Sequence, residues 1–119
     1  MTVAGQQVGR RGEAEVCSYL QTRGYDIVAR NWHSGRYGEL DIVAQKGGEL
    51  FVIEVKTRSW PCSNLPEQAV NQAKTDKLYI ATQAFIVAHP QFPQQVSLWV
   101  AAVLLSQSGV VKEIKLWPV

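Results

Sequence analysis

Cysteine is nearly absent. Cys17 and Cys62 are the only two in 119 residues, and neither has a cysteine or histidine partner nearby at metal-ligand spacing. A disulfide framework is therefore excluded, and each thiol reads as a small buried hydrophobe. Charge is also sparse: charged side chains make up 18% of the chain, below the usual quarter or so. With 46% hydrophobic residues, the chain is not a charge-driven disordered tail. Twelve Lys and Arg against ten Asp and Glu leave a net charge of only +2. That excludes a strongly basic, histone-like nucleic-acid binder, though not a local basic face. The longest apolar run, Leu98 to Leu105, falls far short of the ~20 residues that span a bilayer. No apolar run of a secretory signal lies in the first twelve residues. The expectation is a soluble, cytoplasmic protein with no membrane partner, folded as one domain over residues 1–119. Histidine is scarce too. His33 and His89 have no acids at useful spacing, and no serine nucleophile motif is visible, which argues against a histidine-based hydrolase.

What charge there is sits in the first half. Of the 22 charged side chains, 15 lie in residues 1–60, and between Pro61 and Val111 only Glu67, Lys74, Asp76 and Lys77 occur. Polar chemistry is concentrated before Pro61, and the remainder reads as scaffold.

Residues 7–23 read as a helix, with Val16, Cys17 and Leu20 at helical spacing and Gly24 as the stop. Strands follow at 25–32, 39–45 and 50–57. A turn at His33–Tyr37 separates the first two, and Gly47-Gly48 marks a hairpin between the others. Beyond a loop around Pro61–Pro66, a second helix runs from Glu67 to about His89, closed by Pro90 and Pro93. It is apolar on most sides, which predicts burial on more than one face. Strands at 96–105 and 110–117 complete an α/β arrangement with a mixed sheet and a helical crossover.

The chemistry-bearing residues are Glu39 and Asp41 on one strand and Glu54 and Lys56 on the next. Alternation places Glu39 with Asp41 and Glu54 with Lys56 on shared faces. If the strands pair, Asp41 and Glu54 converge near one sheet end, where their repulsion asks for a cation between them. Hard oxygen ligands of this kind suit Mg²⁺ or Mn²⁺. Lys56 beside them can position a water or steady a developing phosphorane. The same alternation is also how an ordinary half-solvated strand looks. Glu13 is the third acid, on the apolar face of the first helix. It is either functional there or a first-turn residue at the positive end of the helix dipole. Glu15, four residues from Arg11, reads as half of a solvated ion pair.

Gly9-x-x-Gly12-Glu13, Tyr19-Leu20, Gly24-Tyr25, Asn31, Gly38-Glu39-Leu40-Asp41, Phe51 through Arg58, and Pro66 through Ala69-Val70 to Lys74 follow one another in order. Over about residues 5–88 this pattern resembles the YraN-type family of small bacterial proteins. That family in turn resembles the PD-(D/E)XK nuclease superfamily, in a branch close to archaeal Holliday-junction resolvases. The resemblance implies a restriction-endonuclease-like αβββαβ core. It also implies Asp41 and Glu54 as metal ligands with the carbonyl of Val55, Lys56 as the motif lysine, and Glu13 as the acid from the first helix. Relatives usually carry Arg-Phe-Asp where this chain has Gln95-Val96-Ser97.

Arg10, Arg11, Arg36, Arg58 and Lys74 are the candidate phosphate-binding cations. Trp99 reads as core, and Trp60, just past Arg58, is the tryptophan to test for base stacking. The expectation is a metal-dependent endonuclease-like protein that binds DNA, branched or single-stranded by the resemblance alone, and hydrolyses phosphodiester bonds. A two-fold-symmetric junction would be met by a homodimer. The alternatives are a catalytically silent nucleic-acid-binding module and a structural partner protein whose acids serve salt bridges. Setting aside Glu13, Glu39, Asp41 and Glu54, the remaining side chains sum to +6: an acidic pocket in a basic surround.

Overall fold

The computed structural model describes residues 3–60 and 72–119. Seven elements follow one another: α1 (Val3–Gln21), β1 (Asp26–His33), β2 (Glu39–Lys46), β3 (Glu49–Ser59), α2 (Gln72–Ala88), β4 (Val96–Leu105) and β5 (Val111–Pro118). The sheet order is β1-β2-β3-β4-β5. Only β3 and β4 run parallel, the pair whose connection carries α2, and the other neighbours are antiparallel. This is the mixed α/β arrangement and element order expected. The loop around Pro61–Pro66, Cys62 and the expected start of α2 at Glu67 lie outside the described residues.

The helices cover opposite faces of the sheet. Val16, Cys17 and Leu20 of α1 pack on Ile42, Ile53, Val55, Ala101 and Val103. Leu78, Ala81 and Phe85 of α2 pack on Leu40, Val43, Leu50 and Val52. Phe85 is 1% exposed and meets Trp32 edge-on at 5.2 Å and His89 in a stack at 4.2 Å. A buried phenylalanine of this kind costs about 3–5 kcal/mol when cut to alanine. Gly47 and Gly48 take positive φ of 60° and 77°, the hairpin geometry their sequence announces, and so pin the β2–β3 register.

One expectation fails. The outer side of α2 is not buried: Tyr79, Ile80 and Val87 are exposed, so this chain covers one face of the helix and leaves another apolar face open. Strict alternation also breaks in β2. Leu40 and Val43 both face α2, while Ile42 and Ala44 face α1. Glu39 and Asp41 nonetheless line the same recesses. Across the ladder, Asn31 of β1 adopts a left-handed φ of 50°, a conformation asparagine tolerates better than most side chains.

Candidate functional site

The β2–β3 ladder ends at Ile42↔Ile53. One step further the strands no longer pair backbone to backbone, and the side chain of Asp41 takes the vacated place. Its Oδ2 accepts a 2.8 Å hydrogen bond from the Val55 N–H. A carboxylate standing in for a strand carbonyl is thereby held in the gap, next to Glu54 in the same register. Glu54 Oε1 pairs with Lys56 Nζ at 3.1 Å, both side chains only about a fifth exposed.

Around this point lie two recesses of about 540 and 300 Å³ that share Glu39, Asp41, Glu54 and Lys56. The first runs toward α1 and adds Gly9, Glu13, Val55 and Arg58. The second runs toward α2 and adds Gly38, Lys74 and Lys77. The α1 side is set by a close approach. A Cβ on Gly12 would fall 1.8 Å from Thr57 Oγ1, so only glycine lets the helix lie on β3 here and bring Glu13 to the recess.

The electrostatics are those of crowded acids. Burial, then the charge of Glu54, pushes the Asp41 carboxyl up to about 7, with the Val55 hydrogen bond opposing. Glu13 is also pushed above the ordinary carboxylate range, chiefly by burial. The Asn31 side-chain hydrogen bond and Arg30 oppose that shift, while Glu39 and Glu54 add to it. Opposite the acids, Lys56 and Lys74 come within hydrogen-bonding reach, and the Lys56 charge is the main cause that lowers the Lys74 pKa.

The donor set fits a hard divalent cation in part. Asp41 and Glu54 are oxygen donors in a buried field of acids, which is what a cation relieves. Yet among the described residues no three His, Cys, Asp or Glu side chains stand close enough to share one ion. Glu13 therefore belongs to the wall of the recess and not to a three-carboxylate cluster. A cation held by Asp41 and Glu54 would complete its shell from the Val55 backbone and solvent.

Of the candidate cations, the structure brings Arg58 and Lys74 to the recesses. Arg58 also donates to the Thr57 carbonyl at 2.9 Å. Arg10, Arg11 and Arg36 line neither recess. Arg11 is engaged by Glu15 at 3.0 Å, and Arg36 turns to the Tyr37 hydroxyl at 3.3 Å. Lys77 was not singled out by sequence, although its spacing of three from Lys74 puts both on one side of α2. Asn31 and Arg30 were missed as neighbours of Glu13. His33, expected to lack an acid partner, meets Glu39 at 3.0 Å across β1 and β2. Ser97 hydrogen-bonds to Glu49 and lines neither recess, so the departure from the expected Asp falls away from the site. Trp60 is 51% exposed with Lys112 Nζ 5.2 Å from its ring centre.

The sequence profile of the uncharacterised protein family UPF0102 matches residues 12–105. The chain belongs to the UPF0102 family. A UPF0102 protein of Desulforamulus reducens is 36% identical over 117 residues, covering 97% of this chain and 95% of that protein. Another, from Thermosynechococcus vestitus, is 40% identical over 108 residues, covering 87% and 85%. The UPF0102 match takes in Glu13, Asp41, Glu54, Lys56, Arg58, Lys74 and Lys77, and leaves Arg10 and Arg11 outside. Among the described residues no helix is long and apolar enough to cross a membrane.

Proposed function

We propose that this UPF0102 protein is a divalent-cation-dependent phosphodiesterase of the restriction-endonuclease-like kind, acting on DNA. The observation that carries the reading is Asp41, bound to the Val55 N–H where the β2–β3 ladder stops and facing Glu54. Two crowded acids, one of them held part-buried by a backbone N–H, are the chemistry that holds Mg²⁺ or Mn²⁺. Such a cation, when bound, supplies Lewis-acid polarisation of a phosphoryl oxygen.

The chain's own groups divide the remaining work. Lys56, oriented by Glu54, holds the attacking water or the phosphoryl oxygen on which charge develops. Lys74, Lys77 and Arg58 bind the flanking phosphates, and cations on both sides of an acidic gap are what a polyanionic substrate needs to enter it. Hydrolysis then forms a bond from water oxygen to phosphorus, breaks one ester P–O bond, and returns a proton to the leaving oxygen. Glu13, which lines the same recess and is held above the ordinary carboxylate range, can exchange that proton with solvent. Three-way separation of the acids favours a second reading, a nucleic-acid-binding module of the same fold that does not cleave.

Cleavage of flap, junction, single-stranded and duplex DNA with Mn²⁺ tests this. Activity is expected to fall by about 10²–10³-fold in Lys56→Ala and to vanish in Asp41→Ala. Cleavage that survives both substitutions refutes the assignment. Binding without cleavage by the native protein selects the second reading.

A further inference from the structure

Among the described residues, Asn31 is the one non-glycine residue with a left-handed backbone, at a φ of 50°. Asparagine enters that region more readily than most side chains, so the angle alone assigns nothing. Its place does. Asn31 stands between two register pairs, Arg30↔Ile42 and Trp32↔Leu40, at the step that Asp41 occupies on β2. Ile42 belongs to the core under α1 and Leu40 to the core under α2. Register partners share a face of the sheet, so β1 passes from the α1 side at Arg30 to the α2 side at Trp32. In a regular strand, residues two apart keep one face. The change of face falls on Asn31.

We propose that Asn31 is a positioning residue for the acidic recess: its left-handed backbone turns the side-chain amide toward α1, where it holds the Glu13 carboxylate at the recess wall. The use of Glu13 in a reaction rests on the function proposed above; the contact does not.

Regular alternation would send residue 31 to the face opposite Arg30, away from α1. Instead these consecutive residues both act on Glu13, Asn31 within hydrogen-bonding reach and Arg30 through its charge. Bulges beside functional sites re-aim side chains in the same way. The amide N–H donates and the carboxylate accepts. One carboxylate oxygen held by Asn31 leaves the other for the recess that Glu13 lines with Gly9, Val55 and Arg58.

Glu13 needs such a hold. Gly12 fixes where α1 lies on β3, and so where the backbone of Glu13 sits, but not the rotamer of a long side chain. Glu39 on β2 and Glu54 on β3 repel it, and burial favours its protonated form. Against them stand the charge of Arg30 and, as the one hydrogen-bond donor among the described groups that act on it, Asn31.

Asn31 is exposed, so its side chain can be changed without opening the core. Glycine accepts a positive φ, and Asn31→Gly therefore removes the amide while keeping the backbone. Asn31→Asp keeps a residue that tolerates the left-handed region and replaces the donor with a like charge. NMR titration of the Glu13 carboxyl in the full chain without metal reads the contact independently of any activity. Its midpoint is expected to rise by about 0.5–1 unit in Asn31→Gly, and further in Asn31→Asp. Equal midpoints in the native protein and Asn31→Gly overturn the proposal, because a residue that merely shapes β1 would leave the carboxyl unmoved. An Asn31→Asp midpoint no higher than the native one overturns it as well. With Mn²⁺ and DNA, Asn31→Gly is expected to cleave up to about 10²-fold more slowly, its pH profile displaced in the same direction as Glu13. A raised midpoint with an unchanged cleavage profile would separate Glu13 from the reaction and overturn the positioning role. A native protein that cleaves nothing refutes the proposed function instead, and the titration still decides whether Asn31 holds Glu13.

Discussion

The two ends of the β2–β3 hairpin carry similar side chains and do different things with them. At the turn end, Lys46 and Glu49 flank Gly47-Gly48, and the ladder is intact to its last pair. Lys46 reaches the Arg23 carbonyl at 2.7 Å and Glu49 accepts from Ser97; each charge has a local neutral partner. At the other end the ladder stops at Ile42↔Ile53. There Asp41 replaces a missing backbone partner, and the acids Glu13 and Glu54 raise its pKa further. Residue type does not separate the two ends. The interruption of pairing does, because it buries carboxylates where neither water nor a neutral donor satisfies them fully.

The sharpest way to break this contrast is to move α1 away from the open end. Gly12→Ala puts a methyl 1.8 Å from Thr57 Oγ1 and 2.8 Å from its Cβ, contacts that require the helix to shift. Overpacking of this kind costs about 3 kcal/mol. A urea-denaturation series should show that loss, with partial recovery in Gly12→Ala combined with Thr57→Ala. A Gly12→Ala protein of native stability would mean that α1 does not rest on β3 as described.

A second test uses the proton on Asp41. The folded carboxyl is raised from an ordinary 3.8 to about 7, so between about pH 4 and pH 7 the folded state keeps a proton that the unfolded chain has released. Stability must then fall as pH rises through that window. Asp41→Asn removes the titration while keeping an oxygen for the Val55 N–H, and should stabilise the protein at pH 8 by about 1–2 kcal/mol. At pH 4, where the native carboxyl is protonated, the gain should disappear. Denaturation midpoints of both proteins across this range measure it. A stability difference independent of pH would show that Asp41 ionises freely. Under the proposed function, Mn²⁺ should restore the native protein's stability at pH 8, where the Asp41 carboxylate is ionised and crowded by acids, and leave Asp41→Asn unmoved, since the amide offers the ion no charge.

Much of this was legible beforehand, and the reasons are local. Gly47-Gly48 admits one tight hairpin, so the register that puts Asp41 against Glu54 followed from two residues and the alternation around them. Glu13 was visible because Val16, Cys17 and Leu20 mark the buried side of its helix. The left-handed φ at Asn31 was not visible. Asparagine tolerates a left-handed backbone without demanding it. The His33–Glu39 pair depended on how Ser34 through Gly38 turn, with Ser34 N–H bonded to the Gly38 carbonyl at 3.0 Å, and composition does not specify that. For α2, periodicity announced an apolar outer face but not what lies against it. Burial on more than one face was expected of this helix, and its own chain leaves Tyr79, Ile80 and Val87 exposed.

The smallest expected effect returns to the quiet end of the hairpin. Ser97, where relatives are expected to carry Asp, pairs with Phe51 in the β3–β4 register and hydrogen-bonds to Glu49. Ser97→Asp would set a carboxylate against that acid, replacing a donor with a like charge. Cross-strand and neighbouring-strand repulsions of this kind cost up to about 1 kcal/mol, reduced by added salt because Glu49 is only half-buried. The substitution should lower the denaturation midpoint slightly at low salt and hardly at all at high salt. It should leave the pH profile assigned to Asp41 unchanged, since neither Ser97 nor Glu49 lines the recesses around Glu54 and Lys56. If Ser97→Asp instead shifted that profile or the response to Mn²⁺, the two ends would be coupled through β3, and the interruption at Ile42 would no longer suffice to explain why one end crowds its acids and the other does not.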